Sequence, residues 1–505
     1  MATRQPNILL VMADQLAAPF LSPWGGPALT PNVDRLADEG VVFDTTYSNS
    51  PLCAPARFAF LAGRRNSRIG AYDNASEFAA TIPTFVHHLR AAGYQTCLVG
   101  KMHFVGPDQL HGYEERLTTD IYPADFGWTP DWNDPDGRFD WWFHNLDSVT
   151  NAGVADATNQ LDYDDEVGFR TVAKLRDLAR TSDQRPWFLT ASFTHPHDPY
   201  VARAEQWNRY DHDAIPMPAV DAIPEDQLDP HSARLRHVIA ADTTDVTPDQ
   251  VRAARHAYLA NCSYVDDQLG RILATLDQHG LADDTIVIFT ADHGDLLGER
   301  GLWYKMSFFD HASRVPLIVR APDRFAPRRV ETLTGLLDLA PTLIDLGRPD
   351  GVRPEDDLDG HSLLPQLDGD EDPDRTVVGE YLGEGAVAPI LMIRRGPHKY
   401  VWSEPDGAQL FDLAADPMEL TNLAVGPTTE LATTAAAFRA EIDRRWDPAA
   451  LRDQVLANQH ERRVVDRALR QGRYTPWDHQ PRTDASQQFM RNHLDLNDVE
   501  ASRRR

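Results

Sequence analysis

Four runs of apolar residues, each followed directly by polar side chains, stand out along the first 300 residues of the chain. They are residues 7–13, 94–100, 187–193 and 285–290. Continuous apolar runs of this length are typical of parallel strands that are buried on both faces. The polar residues that follow them are Asp14, Lys101, His103, His195, His197, Asp292 and His293. Because the carboxyl ends of parallel strands meet at one edge of a sheet, we expect these side chains to lie together.

Segments with helical periodicity, many with a capping residue or proline at the start and glycine at the end, lie between the strands. We predict helices at residues 30–40, 53–63, 83–92, 251–279 and 338–346, and further strands at 41–43 and 316–320. Residues 106–145, rich in Trp, Pro, Asp and Gly, are predicted as loops that shape a site. Residues 201–248 are predicted as a polar, proline-rich excursion. Strands alternating with helices predict an α/β fold.

The pattern changes after residue 347. Residues 347–371 are dense in Pro, Asp and Gly and are the best candidate for a linker. Short antiparallel strands are predicted beyond it at 376–380, 390–394 and 399–402, followed by helices at 429–446 and 451–471. We therefore divide the chain into a catalytic domain, residues 1–370, and a smaller α+β subdomain, residues 371–505.

Composition narrows the class of protein. The 505 residues are 42% hydrophobic and 25% charged, which is typical of a globular protein rather than a disordered chain. No apolar run approaches the ~20 residues of a membrane span, and a net charge of −28 argues against a nucleic-acid partner. The N-terminus lacks a secretory pattern, so a cytoplasmic location is expected. The three cysteines have no spacing typical of a disulfide framework or a zinc site.

Cys53 begins a predicted helix and is followed by Pro55 and Arg57. The first turn of a helix has unpaired N–H groups and the positive end of the dipole, and Arg57 adds a fixed charge, so the position suits an anion. A buried structural cysteine is the alternative. Asp14, Asp292 and His293 offer ligands for a divalent ion such as Ca²⁺, Mg²⁺ or Mn²⁺, and their ligand types also admit Zn²⁺.

Residues 53–57 (CAPAR) resemble the Cys-x-Pro-x-Arg signature of type I sulfatases, and residues 93–103 (GYQTCLVGKMH) are similar to the second signature of that family. The resemblance implies an α/β/α sandwich of the alkaline-phosphatase and sulfatase type. It also implies that a maturation enzyme oxidises Cys53 to formylglycine. One divalent ion, with Ca²⁺ or Mn²⁺ ahead of Mg²⁺, would be held by Asp14, Cys53, Asp292 and His293.

The same resemblance implies a separate role for each of the following residues in the hydrolysis of a sulfate ester. The hydrate of formylglycine 53 would attack sulfur, activated by the metal and Arg57. Lys101 and Lys305 would neutralise the sulfate oxygens, His197 would protonate the leaving oxygen, and His103 would take the proton that releases sulfate.

Longer stretches resemble the bacterial choline-sulfatases within that family. They are residues 72–78, 106–112, 115–131, 141–145, 192–200, 298–303 and 490–496. This implies a small sulfate ester, choline-O-sulfate, as substrate and a homotetramer in which a tail carboxylate reaches a neighbour's site. The implied substrate-binding residues are Asn74, Trp128, His144, Asn145, Glu384 and Asp495.

Alternatives remain open at this point. A phosphonate or phosphate ester hydrolase could use the same scaffold, and a non-catalytic osmolyte-binding protein would result if Cys53 stayed unmodified. Trp128 could simply pack, and Glu384 could be a surface residue. His195 and His197 could exchange roles, since only Pro196 separates them. Ala56 stands where Ser is commonest in the sulfatase signature.

Overall fold

The described part of the protein, in a computed structural model, comprises residues 5–138, 145–348, 357–482 and 495–503. His144, expected at the substrate, lies outside these residues. Within the described ranges, no helix is both long and apolar enough to cross a membrane.

Seventeen strands are found in these ranges. They are β1 Asn7–Asp14, β2 Val41–Phe43, β3 Thr46–Tyr47, β4 Gln95–Gly100, β5 Glu115–Arg116, β6 Gly153–Val154, β7 Trp187–Pro196, β8 Val201–Ala202, β9 Thr285–Ala291, β10 Arg314–Val315, β11 Leu317–Arg320, β12 Arg328–Val330, β13 Thr334–Gly335, β14 Thr376–Tyr381, β15 Ile390–Arg395, β16 His398–Ser403 and β17 Gly407–Asp412.

Fifteen α-helices accompany them in the described chain. They are α1 Pro31–Glu39, α2 Cys53–Ala62, α3 Asn66–Ile69, α4 Phe85–Ala91, α5 Asp147–Thr150, α6 Asn159–Leu178, α7 Ala204–Trp207, α8 Pro230–Val238, α9 Pro248–Gln278, α10 Asp310–Ser313, α11 Leu339–Gly347, α12 Leu364–Asp368, α13 Thr429–Arg445, α14 Pro448–Leu469 and α15 Leu496–Arg503.

The central sheet has eight strands in the order β12-β2-β11-β9-β1-β7-β4-β5. Strands β9, β1, β7 and β4 run parallel, with Ile8 opposite both Phe188 and Ile286. These four strands are the predicted apolar runs, and all or nearly all of their residues are buried. Strands with no polar face need cover on both sides, which places them in the middle of the sheet.

Helices cover both faces of this sheet, as an α/β/α sandwich requires. Helices α1, α6 and α9 pack together, and α6 and α9 contact β7, while α2, α4 and α11 form a second group. The predicted helices at 30–40, 53–63, 83–92, 251–279 and 338–346 correspond to α1, α2, α4, α9 and α11 within a few residues.

Helix α6 was not predicted, although it is 20 residues long. Its apolar stripe is interrupted by Gly168, and Phe169 is 62% exposed, so the helical period is weak. A Cβ at Gly168 would lie 2.2 Å from Oε1 of Gln268 on α9, so a larger residue here would require that flexible side chain to move.

Two predicted loops contain helices. The polar excursion at 201–248 contains α8, which begins at Pro230 and is capped by Asp229 Oδ1, the acceptor of a 3.0 Å hydrogen bond from the Ser232 N–H. The linker at 347–371 contains the short α12. Asp-Pro is a recognisable helix start, so the first of these could have been found.

A second, antiparallel sheet of strands β14-β15-β16-β17 follows, and its last strand was not predicted. Lys399 on β16 connects it to the main body. The buried Lys399 Nζ contacts Asp310 Oδ1 at 2.7 Å and Glu419 Oε1 at 2.6 Å. Helix α14 follows later in the chain. One of its faces packs against loops at the edge of the central sheet, and these loops carry polar side chains.

Candidate active site

Cys53 is the first residue of α2, at the edge where the parallel strands end. Leu52 before it is extended, and every residue of the helix is buried. The Ala54 N–H in the first turn donates to Asn74 Oδ1 at 3.0 Å, so a side chain from another loop satisfies this helix terminus. The predicted helix start at Cys53 is confirmed.

Asp14, Cys53, Asp292 and His293 converge on one point. One ligand atom from each of the four lies within 4.8 Å of the others. Cys53 Sγ is 3.2 Å from His293 Nε2 and 3.8 Å from Asp14 Oδ1. All four side chains are buried. The ends of β1 and β9 and the start of α2 thus bring together the four residues that the family resemblance assigned to the metal.

Arg57 holds the two carboxylates of this cluster. Its Nη2 donates to Asp14 Oδ2 at 2.9 Å and its Nε donates to Asp292 Oδ2 at 2.8 Å. Its Nη1 donates to the Lys101 carbonyl at 2.7 Å and to Ser192 Oγ at 2.9 Å. A fully buried guanidinium with these acceptors orients both carboxylates and offsets their charge.

Lys101 and Lys305 bring two more positive charges. Lys101 Nζ contacts Asp14 and lies 4.1 Å from the centre of the Tyr122 ring. Lys305 Nζ donates to Gln15 Oε1 at 2.7 Å and lies 2.7 Å from His197 Nε2. Burial lowers the pKa of Lys305, but negative charge on Cys53, Asp198 and Asp14 outweighs it and raises the pKa to about 12.

The backbone at the end of β4 explains how Lys101 reaches this point. Gly100 has φ of +104°, and a Cβ on it would lie 1.9 Å from the Ser192 carbonyl oxygen. Only glycine permits both this close approach and this φ, so the chain can turn sharply from β4 toward the cluster.

His103 and His197 are both buried near these cations. Burial and the charge of Lys101 lower the pKa of His103 to about 3. Its two ring nitrogens have no hydrogen-bond partner in the described structure. Burial and the charge of Lys305 lower the pKa of His197 well below its usual range. Both imidazoles are therefore neutral at pH 7, and the proton between Lys305 and His197 resides on the lysine.

His195 has different surroundings from His197. Its Nδ1 lies 2.7 Å from Asp164 Oδ2, and its ring packs against Tyr264 with the centroids 5.2 Å apart. His197 lines the pocket at Cys53, whereas His195 is not among the described residues that line it.

The pocket that reaches Cys53 combines polar and aromatic groups. Its described lining is Cys53, Asn74, Tyr122, Trp128, His197, Asp198, Tyr304, Lys305, Met306 and Glu384. Trp128 packs edge-on against Tyr122 and His103, with centroids 5.2 and 5.7 Å apart. The pocket thus combines a lysine and a histidine with aromatic rings and the carboxyl groups of Asp198 and Glu384.

Asn145 and Asp495 are not among the described residues of this pocket. The Asn145 carbonyl accepts from Tyr304 Oη at 2.7 Å, which places its backbone beside a pocket residue. Asp495 is exposed, and its Oδ1 accepts from the Asn497 N–H at 2.8 Å. Within one chain, this carboxylate caps the start of α15.

Comparison with known proteins shows which family has this arrangement. A family model described as Sulfatase matches residues 6–348, well over half of the chain. The chain belongs to the sulfatase family. Two narrower models also match this sulfatase: the C-terminal part of the choline sulfatase enzyme at residues 453–504, and that of N-sulphoglucosamine sulphohydrolase at residues 298–445. The protein is therefore an enzyme of the sulfuric ester hydrolase class.

Individual relatives agree with that assignment. A choline-sulfatase of Rhizobium meliloti is 51% identical over 513 aligned residues, which cover 100% of this sulfatase and 99% of the relative. An iduronate 2-sulfatase of Mus musculus is 32% identical, covering 73% and 69% of the two chains. The crystal structure of a phosphonate monoester hydrolase of Agrobacterium radiobacter has a TM-score of 0.68 at 27% identity, covering 89% and 96%.

The buried cluster of this sulfatase fits a divalent metal ion. Two carboxylates, an imidazole and the side chain of residue 53 each place one ligand atom within 4.8 Å of the others. Burial raises the pKa of Asp14, but Lys101 and Arg57 outweigh it and hold that pKa well below the usual range. Asp14 is therefore ionised, as a metal ligand must be. Burial and the charge of Asp14 raise the pKa of the Cys53 thiol to about 11, so an unmodified Cys53 would be a poor nucleophile at pH 7.

Sequence reasoning missed Gln15 and Tyr122. Gln15 Nε2 donates to Asp295 Oδ2 at 2.7 Å and to Asp198 Oδ1 at 3.3 Å, while its Oε1 accepts from Lys305. It thus connects Lys305 to two buried carboxylates of this sulfatase. Its place directly after Asp14 at a strand end was a usable signal. Tyr122 had no signal other than its place in an aromatic loop.

Proposed function

We propose that this sulfatase hydrolyses choline-O-sulfate to choline and sulfate. The observation that carries the proposal is a single pocket whose described lining includes Cys53, Lys305, Trp128 and Glu384. In this proposal Cys53 and Lys305 form the sulfate end of the pocket, and Trp128 and Glu384 form the cation end. A trimethylammonium group cannot donate hydrogen bonds and binds through aromatic faces and negative charge. The choline-sulfatase relative at 51% identity supports the same substrate.

We further propose that Asp14, Asp292, His293 and residue 53 hold one divalent ion, Ca²⁺ or Mn²⁺ ahead of Mg²⁺, and that a maturation enzyme oxidises Cys53 to formylglycine. When bound, the metal supplies Lewis acidity, and the hydrated aldehyde supplies a nucleophilic hydroxyl together with a second one for sulfate release. A thiol of raised pKa at residue 53 is consistent with the need for this modification.

The chain's own cations would bind the sulfate. Lys101 contacts Asp14, and Lys305 contacts Gln15 and His197. Four of the five N–H groups of Arg57 donate to its four acceptors, so we assign it the role of orienting Asp14 and Asp292. Charge that develops on the sulfate oxygens is stabilised by such fixed groups without reorganisation.

His197 and His103 would move the protons. The hydrogen-bonded pair of Lys305 and His197 holds one proton in the pocket and can deliver it to the leaving alkoxide oxygen through His197. Neutral His103, whose ring nitrogens have no hydrogen-bond partner among the described residues, would accept the proton whose removal releases sulfate. Asn74, His144 and Asn145 would border the bound ester.

A phosphonate or phosphate ester hydrolase is the second candidate. Phosphonate monoester hydrolases are among the similar solved structures, at 27% and 25% identity. A phosphonate monoester carries one negative charge, like a sulfate monoester, so the cations of the site do not separate the two. The aromatic and acidic end of the pocket favours the choline ester.

The molecule's organisation is also part of the proposal. We assign residues 1–370 to the catalytic domain and 371–505 to a subdomain whose tail, through Asp495, completes the site of a neighbouring subunit in a homotetramer. A cytoplasmic location is proposed, with the small sulfate ester as ligand and with no nucleic-acid or membrane partner.

The test is a comparison of kcat/KM for choline-O-sulfate, an aryl sulfate and a phosphonate monoester. It requires enzyme reloaded with Ca²⁺, Mn²⁺ or Mg²⁺, in which conversion of Cys53 has been quantified by peptide mass. We expect choline-O-sulfate to be preferred by at least about 100-fold, because only it reaches both ends of the pocket. Preference for the phosphonate would support the second candidate. Binding of choline-O-sulfate without turnover by unconverted protein would support a binding role.

A further inference from the structure

Helix α14 presents one continuous buried face to the active-site loops. Its buried residues are Leu451, Val455, Gln459 and Arg462, spaced by 4, 4 and 3 positions as one side of a helix requires. Leu451 and Val455 are apolar, but Gln459 and Arg462 are polar and only 0% and 4% exposed. A buried polar pair at the end of an apolar stripe must have specific partners.

The partners of Arg462 lie on two different loops. Its Nη1 and Nη2 donate to Asp73 Oδ1 and Oδ2 at 2.7 and 2.6 Å, and Nη1 also donates to Thr129 Oγ1 at 3.0 Å. Asp73 itself is fully buried. One planar guanidinium therefore joins the loop of Asp73 to the loop of Thr129.

Each of these partners is the chain neighbour of a pocket residue. Asp73 precedes Asn74, and its Oδ1 accepts from the Ala75 N–H at 3.0 Å, which fixes the turn that presents Asn74 to the start of α2. Thr129 follows Trp128, and its Oγ1 donates to the Phe126 carbonyl at 2.7 Å, which fixes the turn beneath the indole.

Gln459 ties the same loop to the acidic end of the pocket. Its Oε1 accepts from the Trp132 N–H at 3.0 Å, and Trp132 Nε1 donates to the carbonyl of Gly383, the residue before Glu384, also at 3.0 Å. The loops of Asn74, Trp128 and Glu384 are thus connected to one helix face through buried hydrogen bonds.

We propose that Arg462 is a positioning residue that sets the separation between the sulfate end and the cation end of the pocket, and thereby the enzyme's specificity for an ester of matching length. The inference rests on the proposed function in that it takes Asn74 and Trp128 to border those two ends. A ligand that spans both ends senses their separation, whereas each half of it does not, because the two halves bind as separate molecules.

The test compares the whole ester with its two products in Arg462→Lys. Lysine keeps the positive charge at Asp73 but has no planar fork that serves Asp73 and Thr129 together. We expect KM for choline-O-sulfate to rise about tenfold, while the inhibition constants of choline and of inorganic sulfate each change less than about threefold. Arg467→Lys is the matched control, since Arg467 is exposed and its Nε donates to the carbonyl of Arg463 in the same helix.

A second variant guards against loss of folding. Asp73→Asn combined with Arg462→Gln removes both buried charges at once and so leaves no unpaired ion. It is expected to melt cooperatively and to show the same contrast between ester and products. Equal weakening of the ester and both products, or an unchanged KM, would overturn the proposal.

The proposed function and this inference fail in different ways. If choline does not inhibit the unaltered enzyme, the substrate assignment fails. The Arg462→Lys variant is then tested with the ester that the unaltered enzyme prefers and with the two products of that ester. The proposal for Arg462 still requires that KM for the ester rises more than the inhibition constants of its products.

Discussion

Two histidines separated by one proline have different surroundings in this protein. His195 Nδ1 is held by Asp164, and its ring packs on Tyr264. His197 lies against Lys305 and lines the pocket. Our proposal that His197 protonates the leaving oxygen rests on this contact with Lys305 and on its place in the pocket lining.

Replacement of each histidine tests this assignment. Choline is a poor leaving group and needs a proton, whereas 4-nitrophenolate leaves without one. We expect His197→Ala to lower kcat/KM for choline-O-sulfate by about 10²–10⁴-fold but to lower that for 4-nitrophenyl sulfate by less than about tenfold. The measurement is steady-state kinetics with both esters.

His195→Ala is the matched control on the other side of Pro196. Its loss should be the same for both esters, because His195 supports the strand end rather than the leaving group. A loss in His197→Ala that does not depend on the leaving group would assign His197 to sulfate binding.

The aromatic segment 121–132 is the element that distinguishes this pocket from a simple anion site. It carries Tyr122 and Trp128 into the pocket, and hydrogen bonds of Thr129 and Trp132 hold it in place. Because its rings contact one another and His103, these residues form a packed aromatic wall of the pocket.

Trp128→Leu tests whether this wall recognises charge. A cation–π contact contributes about 0.5–2 kcal/mol, which corresponds to roughly 2- to 30-fold in affinity. We expect KM for choline-O-sulfate to rise by about that factor, while KM for 3,3-dimethylbutyl sulfate, its uncharged isostere, changes little.

Trp402→Leu is the control, because Trp402 is a partly buried tryptophan on β16, outside the pocket lining. If Trp128→Leu affected both esters equally and lowered the melting temperature, the indole would serve packing alone.

At the scale of the whole molecule, α14 and Asp495 of the C-terminal part are placed differently with respect to the catalytic edge. Helix α14 holds the loops of its own chain through Gln459 and Arg462. Asp495, by contrast, is exposed and caps α15, outside the described pocket of its own chain. A role for Asp495 in catalysis therefore requires a second copy of the chain.

Removal of residues 488–505 tests that requirement. We expect kcat/KM for choline-O-sulfate to fall at least about tenfold while the melting temperature stays within a few degrees, because α14 and its buried face remain intact. Light scattering on the same samples reports the oligomeric state. The point variant Asp495→Asn should lower activity without dissociating the assembly. Full activity in the shortened monomer would contradict completion of the site by a neighbour.

The sequence by itself predicted the central strands and the edge at which they deliver Asp14, Lys101, His197 and Asp292. This was possible because a strand that is buried on both faces consists mostly of apolar residues, and the polar residue that follows marks the end of the strand. The start of α2 at Cys53 was likewise readable from local signals. The family resemblance then attached a chemistry to these positions, and the family itself is confirmed by the Sulfatase model.

Only the tertiary structure decided what depends on contacts between distant segments. Helix α6 packs its Gly168 against Gln268 of α9, and the Arg462–Asp73 pair joins residues 389 positions apart. The choice between His195 and His197 depends on which ring faces Lys305. Such contacts cannot be predicted from a local sequence pattern, because the residues that stabilise one another are distant in sequence and become neighbours only in the folded chain.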